Sequence, residues 1–121
     1  MAYLKKRLQS FGYAFKGIAT LIRTQPNAQI HLLATVVVVA AGVFFEVGRG
    51  EWTALLLAMA LVWTAEALNT AVEFLTDLVS PDPHPLAGKA KDVAASAVLI
   101  AAIFAVAVAV FVFWPYVSAR F

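Results

Sequence analysis

Five polar residues interrupt one of the most apolar segments of the chain. The stretch 65–77 reads AEALNTAVEFLTD, and its polar positions, the polar stripe, are Glu66, Asn69, Thr70, Glu73 and Asp77. At about 100° per residue, they fall within an arc of about 100° on one helical face. A charge at the centre of a membrane helix costs at least about 2.5–3.5 kcal/mol. The polar stripe is therefore expected to face protein, water or a metal ion rather than lipid.

Carboxylates one turn apart can divide a chemical task, because one can hold Mg²⁺ through hard oxygen ligands while another accepts a proton. Glu66 lies deepest in the apolar segment, which favours the proton-accepting role. Asn69 can orient a ligand without adding charge. Lys89, Lys91 and Asp92 follow in sequence and can supply cations for phosphates and one more carboxylate. The pattern suggests phosphoryl transfer at a membrane surface.

The polar stripe is also compatible with two roles outside phosphoryl transfer. Polar residues in membrane helices can simply hold helices together. Glu66 and Glu73 can also serve as a proton relay in a small transporter or proton channel. The nucleotide motif G-x-x-x-x-G-K-(S/T) does not occur, and two distant histidines without any cysteine give no support for a zinc, ferrous or haem site.

Composition places the chain in a membrane. It has 121 residues, 63% hydrophobic and 13% charged, with a mean hydropathy of +0.86. The charged fraction is about half that of a soluble globular protein. Nucleic acid is not an expected partner, because the formal net charge is only +2 and no nucleic-acid-binding motif accompanies the basic residues.

The periodicity predicts an all-α integral membrane protein with a single domain over residues 1–121. Apolar residues recur at +4 and +3 spacing through 3–24 with basic residues on another face, which is typical of an amphipathic interfacial helix or of one packed on protein. Three transmembrane helices are predicted over 30–45, 52–79 and 93–117, and Pro26 predicts a helix break over 24–27 before the first of them, because proline disfavours helical geometry in the residue before it. His31 is expected at the membrane interface, and residues 80–92 are expected to form a loop.

The basic residues predict the orientation. Five precede the first span and two, Lys89 and Lys91, lie in the 80–92 segment, whereas the opposite side has only Arg49 and Arg120. Basic residues concentrate on the cytoplasmic side of membrane proteins. The N-terminus and the acidic end of the second span are therefore expected in the cytoplasm, with the C-terminus outside.

A longer combined motif extends beyond the polar stripe. It consists of EALNTAVE at 66–73, Asp77, HPL at 84–86 and AKDVAA at 90–95, and it matches E-x-x-N-(T/S)-A-(I/V)-E…D…H-x-L…A-K-D-x-(A/G) at every position. GYAFKG at 12–17 and IHL at 30–32 also fit. With this motif the chain closely resembles the prokaryotic diacylglycerol kinase family, which includes undecaprenol kinases.

The resemblance implies a homotrimer in the bacterial cytoplasmic (inner) membrane, with active sites between neighbouring subunits. Each subunit would have one surface helix and three transmembrane helices. The implied activity is ATP- and Mg²⁺-dependent phosphorylation of a membrane lipid alcohol. The 79–86 loop and the IHL segment look more like the undecaprenol kinase branch, which favours undecaprenol over diacylglycerol as the substrate.

The resemblance also implies roles for individual residues. Glu66 looks like the general base beside the lipid hydroxyl, Asn69 like a polar organiser of the site, and Glu73 like a metal ligand that also contacts the nucleotide. The remaining implied contacts are with nucleotide for Tyr13, Asp77, Lys91 and Asp92, and with the lipid substrate for Lys16.

One departure from the family pattern affects the metal. Many members have a glutamate, a second metal ligand, where this chain has Gln25, and Gln29 stands where an arginine is often found. An amide oxygen can still bind Mg²⁺ but lacks the charge to hold it strongly. Gln25 is accordingly expected to be a weak metal ligand, and a catalytically lapsed scaffold subunit is the alternative.

Overall fold

The computed structural model describes all 121 residues as four helices joined by short connections. The helices are α1 (Ala2–Thr24), α2 (Pro26–Phe44), α3 (Arg49–Val79) and α4 (Pro85–Arg120). By length and composition α2, α3 and α4 could each cross a membrane. The predicted all-α architecture with three membrane-spanning helices is confirmed at this level. The interfacial position of α1 stays a prediction.

A single extended residue separates the first two helices. Gln25 has φ −110° and ψ 111°, and Pro26 occupies the first position of α2. Proline disfavours helical geometry in the residue before it, yet its own fixed φ suits the first helical turn. The predicted break between the surface helix and the first span is therefore present and one residue long.

The prediction of a loop over residues 80–92 was wrong for its second half, because α4 already begins at Pro85. The side chain of His84 caps this helix by accepting a hydrogen bond from the Leu86 backbone N–H, at 3.1 Å. Pro85, the last proline of this segment, occupies the first position of α4, where proline favours the start of a helix. As a result, Lys89, Lys91 and Asp92 lie on the first turns of α4 rather than on a loop.

The most extensive packing joins α3 to α4, and α2 packs on α3. A small apolar core of Val47, Leu55 and Val112 lies where the α2–α3 turn meets the end of α4. A polar contact closes this end of the bundle, because the Tyr116 hydroxyl donates to Glu51 Oε1 at 2.7 Å. The polar stripe lies toward the opposite end of α3, beside the start of α2 and α4.

Most of the apolar surface of one chain is uncovered. Only 12 of 121 residues are buried, while large hydrophobic side chains are exposed along all four helices. Exposing so many apolar side chains to water is unfavourable, since burying apolar area stabilises a protein by about 25 cal/mol per Å². Lipid or other protein chains must therefore cover the membrane-spanning faces.

Gly42 permits a close approach of Trp52 on α3 to the backbone of α2. A Cβ atom at this position would lie 2.5 Å from Trp52 Cη2, whereas one at Gly12 would meet nothing within 4 Å. Replacing Gly42 by Ala is expected to destabilise the protein by about 1–3 kcal/mol through overpacking. Thermal unfolding in detergent would measure this as a lower Tm, with Gly12→Ala as the matched control. An unchanged Tm for Gly42→Ala would contradict the packing at this crossing.

Candidate functional site

The polar stripe passes from the protein interior to its surface along α3. The stripe begins at Glu66, which is 1% exposed, and continues with Asn69 and Thr70, which are also buried. Glu73 is half-buried and Asp77 is exposed. The five residues therefore form a graded path in which the deepest carboxylate is almost completely enclosed and the last faces water.

Glu66 lies against a histidine of the neighbouring helix. Its Oε2 is 3.5 Å from Nε2 of His31 on α2, whose side chain is 17% exposed. The sequence interpretation of His31 as an interfacial residue missed this contact. A signal was present, because His31 and Thr35 are polar, one turn apart and on the same face of an otherwise apolar helix.

His31 contacts a small assembly of Thr35 and Trp63, through its backbone carbonyl on one hand and its ring on the other. Thr35 Oγ1 donates to the His31 carbonyl oxygen at 2.7 Å and accepts from Trp63 Nε1 at 2.9 Å. The Trp63 and His31 rings meet edge to face, with centroids 6.4 Å apart. These contacts join α2 to α3 one turn before Glu66 and restrict the positions open to the imidazole.

Three buried polar atoms in this region have no hydrogen-bond partner: His31 Nε2, Glu66 Oε2 and Asn69 Oδ1. Buried polar groups are nearly always hydrogen-bonded, and leaving one unpaired costs about 1–3 kcal/mol. His31 and Asn69 line the same cavity of about 260 Å³ between α2 and α4. The cluster is therefore suited to a ligand that brings a hydroxyl group.

A second cavity extends from His31 along the apolar interior. It has a volume of about 170 Å³, and eleven of its thirteen lining residues are hydrophobic. His31, Thr35 and Trp63 form its wall on the side of the polar stripe. The site thus combines an enclosed carboxylate with adjacent apolar space.

The exposed end of the polar stripe carries an ion pair between helices. Lys91 on α4 binds Asp77 Oδ1 on α3, with side chains 41% and 63% exposed. Glu73 also attracts Lys91 electrostatically but forms no ion pair within 4.0 Å. Asp92 is exposed on the neighbouring position of α4. Lys91 is thus brought to the acidic residues by the helical start of α4.

The predicted site residues of α1 lie apart from the buried cluster. Tyr13 is 68% exposed, and Lys16 Nζ is 5.6 Å from the centroid of its ring. Neither lines the cavity of about 370 Å³ between α1 and α3, which Gly17, Leu21 and Thr70 help to form. One chain does not bring Tyr13 or Lys16 into contact with Glu66.

Gln25 lies at the junction of α1 and α2, where its Nε2 donates to Thr24 Oγ1 at 3.1 Å. Gln29 Nε2 donates to the Ile22 carbonyl oxygen at 3.2 Å. Both amides are thus used in local contacts around the helix break. The Gln25 hydrogen bond uses the amide nitrogen, so its oxygen is not committed by that bond.

The residues of one chain do not form a cage for a metal ion, because no three His, Asp or Glu side chains group together. Mg²⁺ usually keeps several waters and binds through one or two carboxylates plus substrate phosphates. Glu73, half-buried and without an ion pair, supplies one such carboxylate. Within one chain this donor set fits a magnesium ion that is held partly by nucleotide phosphates.

Comparison with known proteins gives consistent matches along the chain. The family model for prokaryotic diacylglycerol kinase matches residues 12–113. An undecaprenol kinase of Bacillus subtilis is 36% identical over 112 residues, which are 93% of this chain and 91% of that protein. A diacylglycerol kinase of Synechocystis is 43% identical over 84% of this chain, which spans 58% of that longer protein. A diacylglycerol kinase of Pseudomonas aeruginosa is 32% identical over 81% of this chain and 80% of its own length.

The matched segment contains the polar stripe, the partly buried His31 and the Lys91–Asp77 pair. The three relatives are all named as lipid kinases, and two of them match over most of their own length. The chain belongs to the prokaryotic diacylglycerol kinase family and is a lipid kinase.

Proposed function

We propose that the protein transfers the γ-phosphate of ATP to the hydroxyl group of undecaprenol, with Mg²⁺ as cofactor. One observation carries the proposal: the acidic face of α3 runs from the enclosed Glu66, whose neighbour His31 lines two mainly apolar cavities, to the exposed Lys91–Asp77 pair. A lipid kinase needs this gradient, because its acceptor is in the membrane and its donor is in water. The proton-channel alternative receives no support from the family membership.

Glu66 is the proposed general base. In this role its carboxylate accepts the proton of the lipid hydroxyl as the oxygen attacks the γ-phosphorus and ADP leaves. Asn69, buried one turn further along α3, would orient the acceptor or the carboxylate through its unpaired Oδ1. The apolar surroundings exclude water, which limits the competing hydrolysis of ATP.

The water-facing end of the polar stripe is the proposed nucleotide site. Lys91 would pair with phosphate oxygens, Asp77 would hold Lys91 in place, and Asp92 would add a polar contact on α4. Tyr13 is exposed and available to lie beside the adenine. Because α1 does not bring Tyr13 to Glu66 of the same chain, the adenine beside Tyr13 can belong to a nucleotide bound at a neighbouring chain.

Glu73 is the proposed magnesium ligand, with Gln25 as a weak second ligand. Magnesium would neutralise charge on the β- and γ-phosphates when bound. The half-buried position of Glu73, two turns beyond Glu66, is about 10 Å along the helix axis from the base. Gln25 provides an oxygen without charge, so the phosphates themselves would supply most of the negative charge at the metal.

The proposed assembly is a homotrimer in the bacterial inner membrane, with α1 on the cytoplasmic surface and the C-terminus outside. Uncovered apolar faces on every membrane-spanning helix support association within the bilayer. The incomplete ligand set of one chain supports active sites that neighbouring subunits share. Lys16, exposed on α1, would then contact the lipid substrate near its hydroxyl end.

A kinase assay in mixed micelles tests the proposed function and the lipid together. Purified protein receives Mg²⁺, ATP labelled at the γ-phosphate, and undecaprenol or diacylglycerol at equal mole fraction. We expect labelled lipid phosphate to form when lipid and Mg²⁺ are both present, and to form faster with undecaprenol than with diacylglycerol. Chelation of Mg²⁺ should abolish its formation. Faster transfer to diacylglycerol would overturn the lipid assignment. Absence of transfer to either lipid would instead favour a catalytically lapsed subunit.

A further inference from the structure

The contact between His31 and Glu66 is isolated from all other basic groups. His31 is the only basic side chain with a nitrogen within 4.0 Å of the Glu66 carboxylate. Both facing atoms, Nε2 and Oε2, are buried and have no other partner. Their separation of 3.5 Å exceeds an ideal hydrogen bond by only about half an ångström. No space remains for water between them, so the two groups act directly on each other.

Thr35 and Trp63 lie against His31 and join its helix to α3. Thr35 bridges the Trp63 indole and the His31 backbone, and the Trp63 ring packs edge to face against the imidazole. A support of this kind is unnecessary for a histidine that only anchors a helix at the interface. It matters for a group that must hold its neighbour in one orientation.

From this geometry we infer that His31 is a positioning residue for Glu66. A neutral imidazole donates from one ring nitrogen. With hydrogen on Nε2, His31 holds Glu66 Oε2 and leaves the second carboxylate oxygen, Oε1, for the lipid hydroxyl. The Trp63 ring, itself held by its hydrogen bond to Thr35, packs against the imidazole and limits the rotamers open to it. The inference rests on the proposed function, because it assigns a purpose to the orientation of the proposed base.

Two substitutions separate the donor from the volume of His31. His31→Leu keeps the approximate size of the side chain but has no hydrogen-bond donor. His31→Gln retains an N–H that can reach the carboxylate. We expect His31→Leu to lower kcat by about 10–100-fold, less than the 10²–10⁴ that a general base contributes. The KM for Mg-ATP should stay within about twofold, and His31→Gln should recover most of the loss. Equal activities of the two variants would overturn the inference.

A threonine pair supplies a test that does not alter His31. Both Thr35 and Thr53 donate to the carbonyl oxygen four residues earlier, but only Thr35 also accepts from Trp63. Thr35→Val should lower kcat in the same direction as His31→Leu, while Thr53→Val should not. This comparison decides the inference if His31→Leu fails to assemble. Equal kcat values for the two valine variants would count against the support assigned to Thr35.

A chemical readout separates this inference from the kinase proposal. Carbodiimides that enter membranes react with protonated carboxyl groups, and mass spectrometry measures their attachment to Glu66. A hydrogen-bond donor at residue 31 occupies one oxygen of the carboxyl group, so labelling should be slow in the wild type and His31→Gln and faster in His31→Leu. That order without any kinase activity would overturn the proposed function but retain the contact. Kinase activity with equal labelling rates would overturn the positioning role alone.

Discussion

Replacing Glu66 by Gln is expected to lower lipid phosphorylation by about 10²–10⁴-fold, the usual contribution of a general base. The amide has almost the same shape as the carboxylate but cannot accept the proton of the lipid hydroxyl. Glu66 is 1% exposed, and its Oε2 lies 3.5 Å from His31 Nε2, a contact that the oxygen of the glutamine amide can also make, so the substitution removes the charge and keeps the neighbour. Transfer of labelled γ-phosphate to undecaprenol in micelles measures the loss.

The matched control for this prediction is Glu46→Gln. Glu46 is exposed in the turn between α2 and α3, at the end of the bundle remote from the polar stripe. Its variant should retain wild-type turnover. Both variants should elute from a sizing column as the wild-type assembly does. Wild-type turnover in Glu66→Gln would rule out the base assignment, whatever the behaviour of the control.

Glu73→Gln is expected to raise the Mg²⁺ concentration for half-maximal activity by about tenfold or more, which corresponds to about 1.4 kcal/mol. The amide keeps an oxygen ligand but removes the charge that attracts the ion. Glu73 is half-buried and lacks an ion pair, so no other protein group already neutralises it within 4.0 Å. Titration of Mg²⁺ at saturating ATP and lipid gives the measurement.

The reciprocal variant is Gln25→Glu, which restores a carboxylate at the break between α1 and α2. It should lower the Mg²⁺ requirement, because a second charged ligand binds the ion more strongly. The Gln25 contact with Thr24 is exposed, so its loss should cost little stability. If Glu73→Gln leaves the Mg²⁺ dependence unchanged, Glu73 is not the metal ligand. If Gln25→Glu alone then changes the Mg²⁺ requirement, the metal site lies at the junction of α1 and α2.

Local properties of the sequence determined the membrane class and the helical content. Long apolar segments predict spans because the bilayer requires about 20 apolar residues per helix. Pro26 predicted the break at Gln25 because a proline constrains its immediate neighbour. The gathering of Glu66, Asn69 and Glu73 on one face followed from the helical repeat alone. Each of these depends on residues within a few turns of one another.

Other features depended on contacts between helices. His31 and Glu66 are 35 positions apart, and periodicity fixes the polar face of each helix but not which faces meet. The same reason applies to Lys91 and Asp77, whose pairing required α4 to begin at Pro85 instead of Val93. How two helices are rotated and shifted against each other is decided by packing along their whole length. Only the tertiary structure therefore places His31 beside the buried Glu66, whereas the sequence alone predicts His31 at the membrane interface.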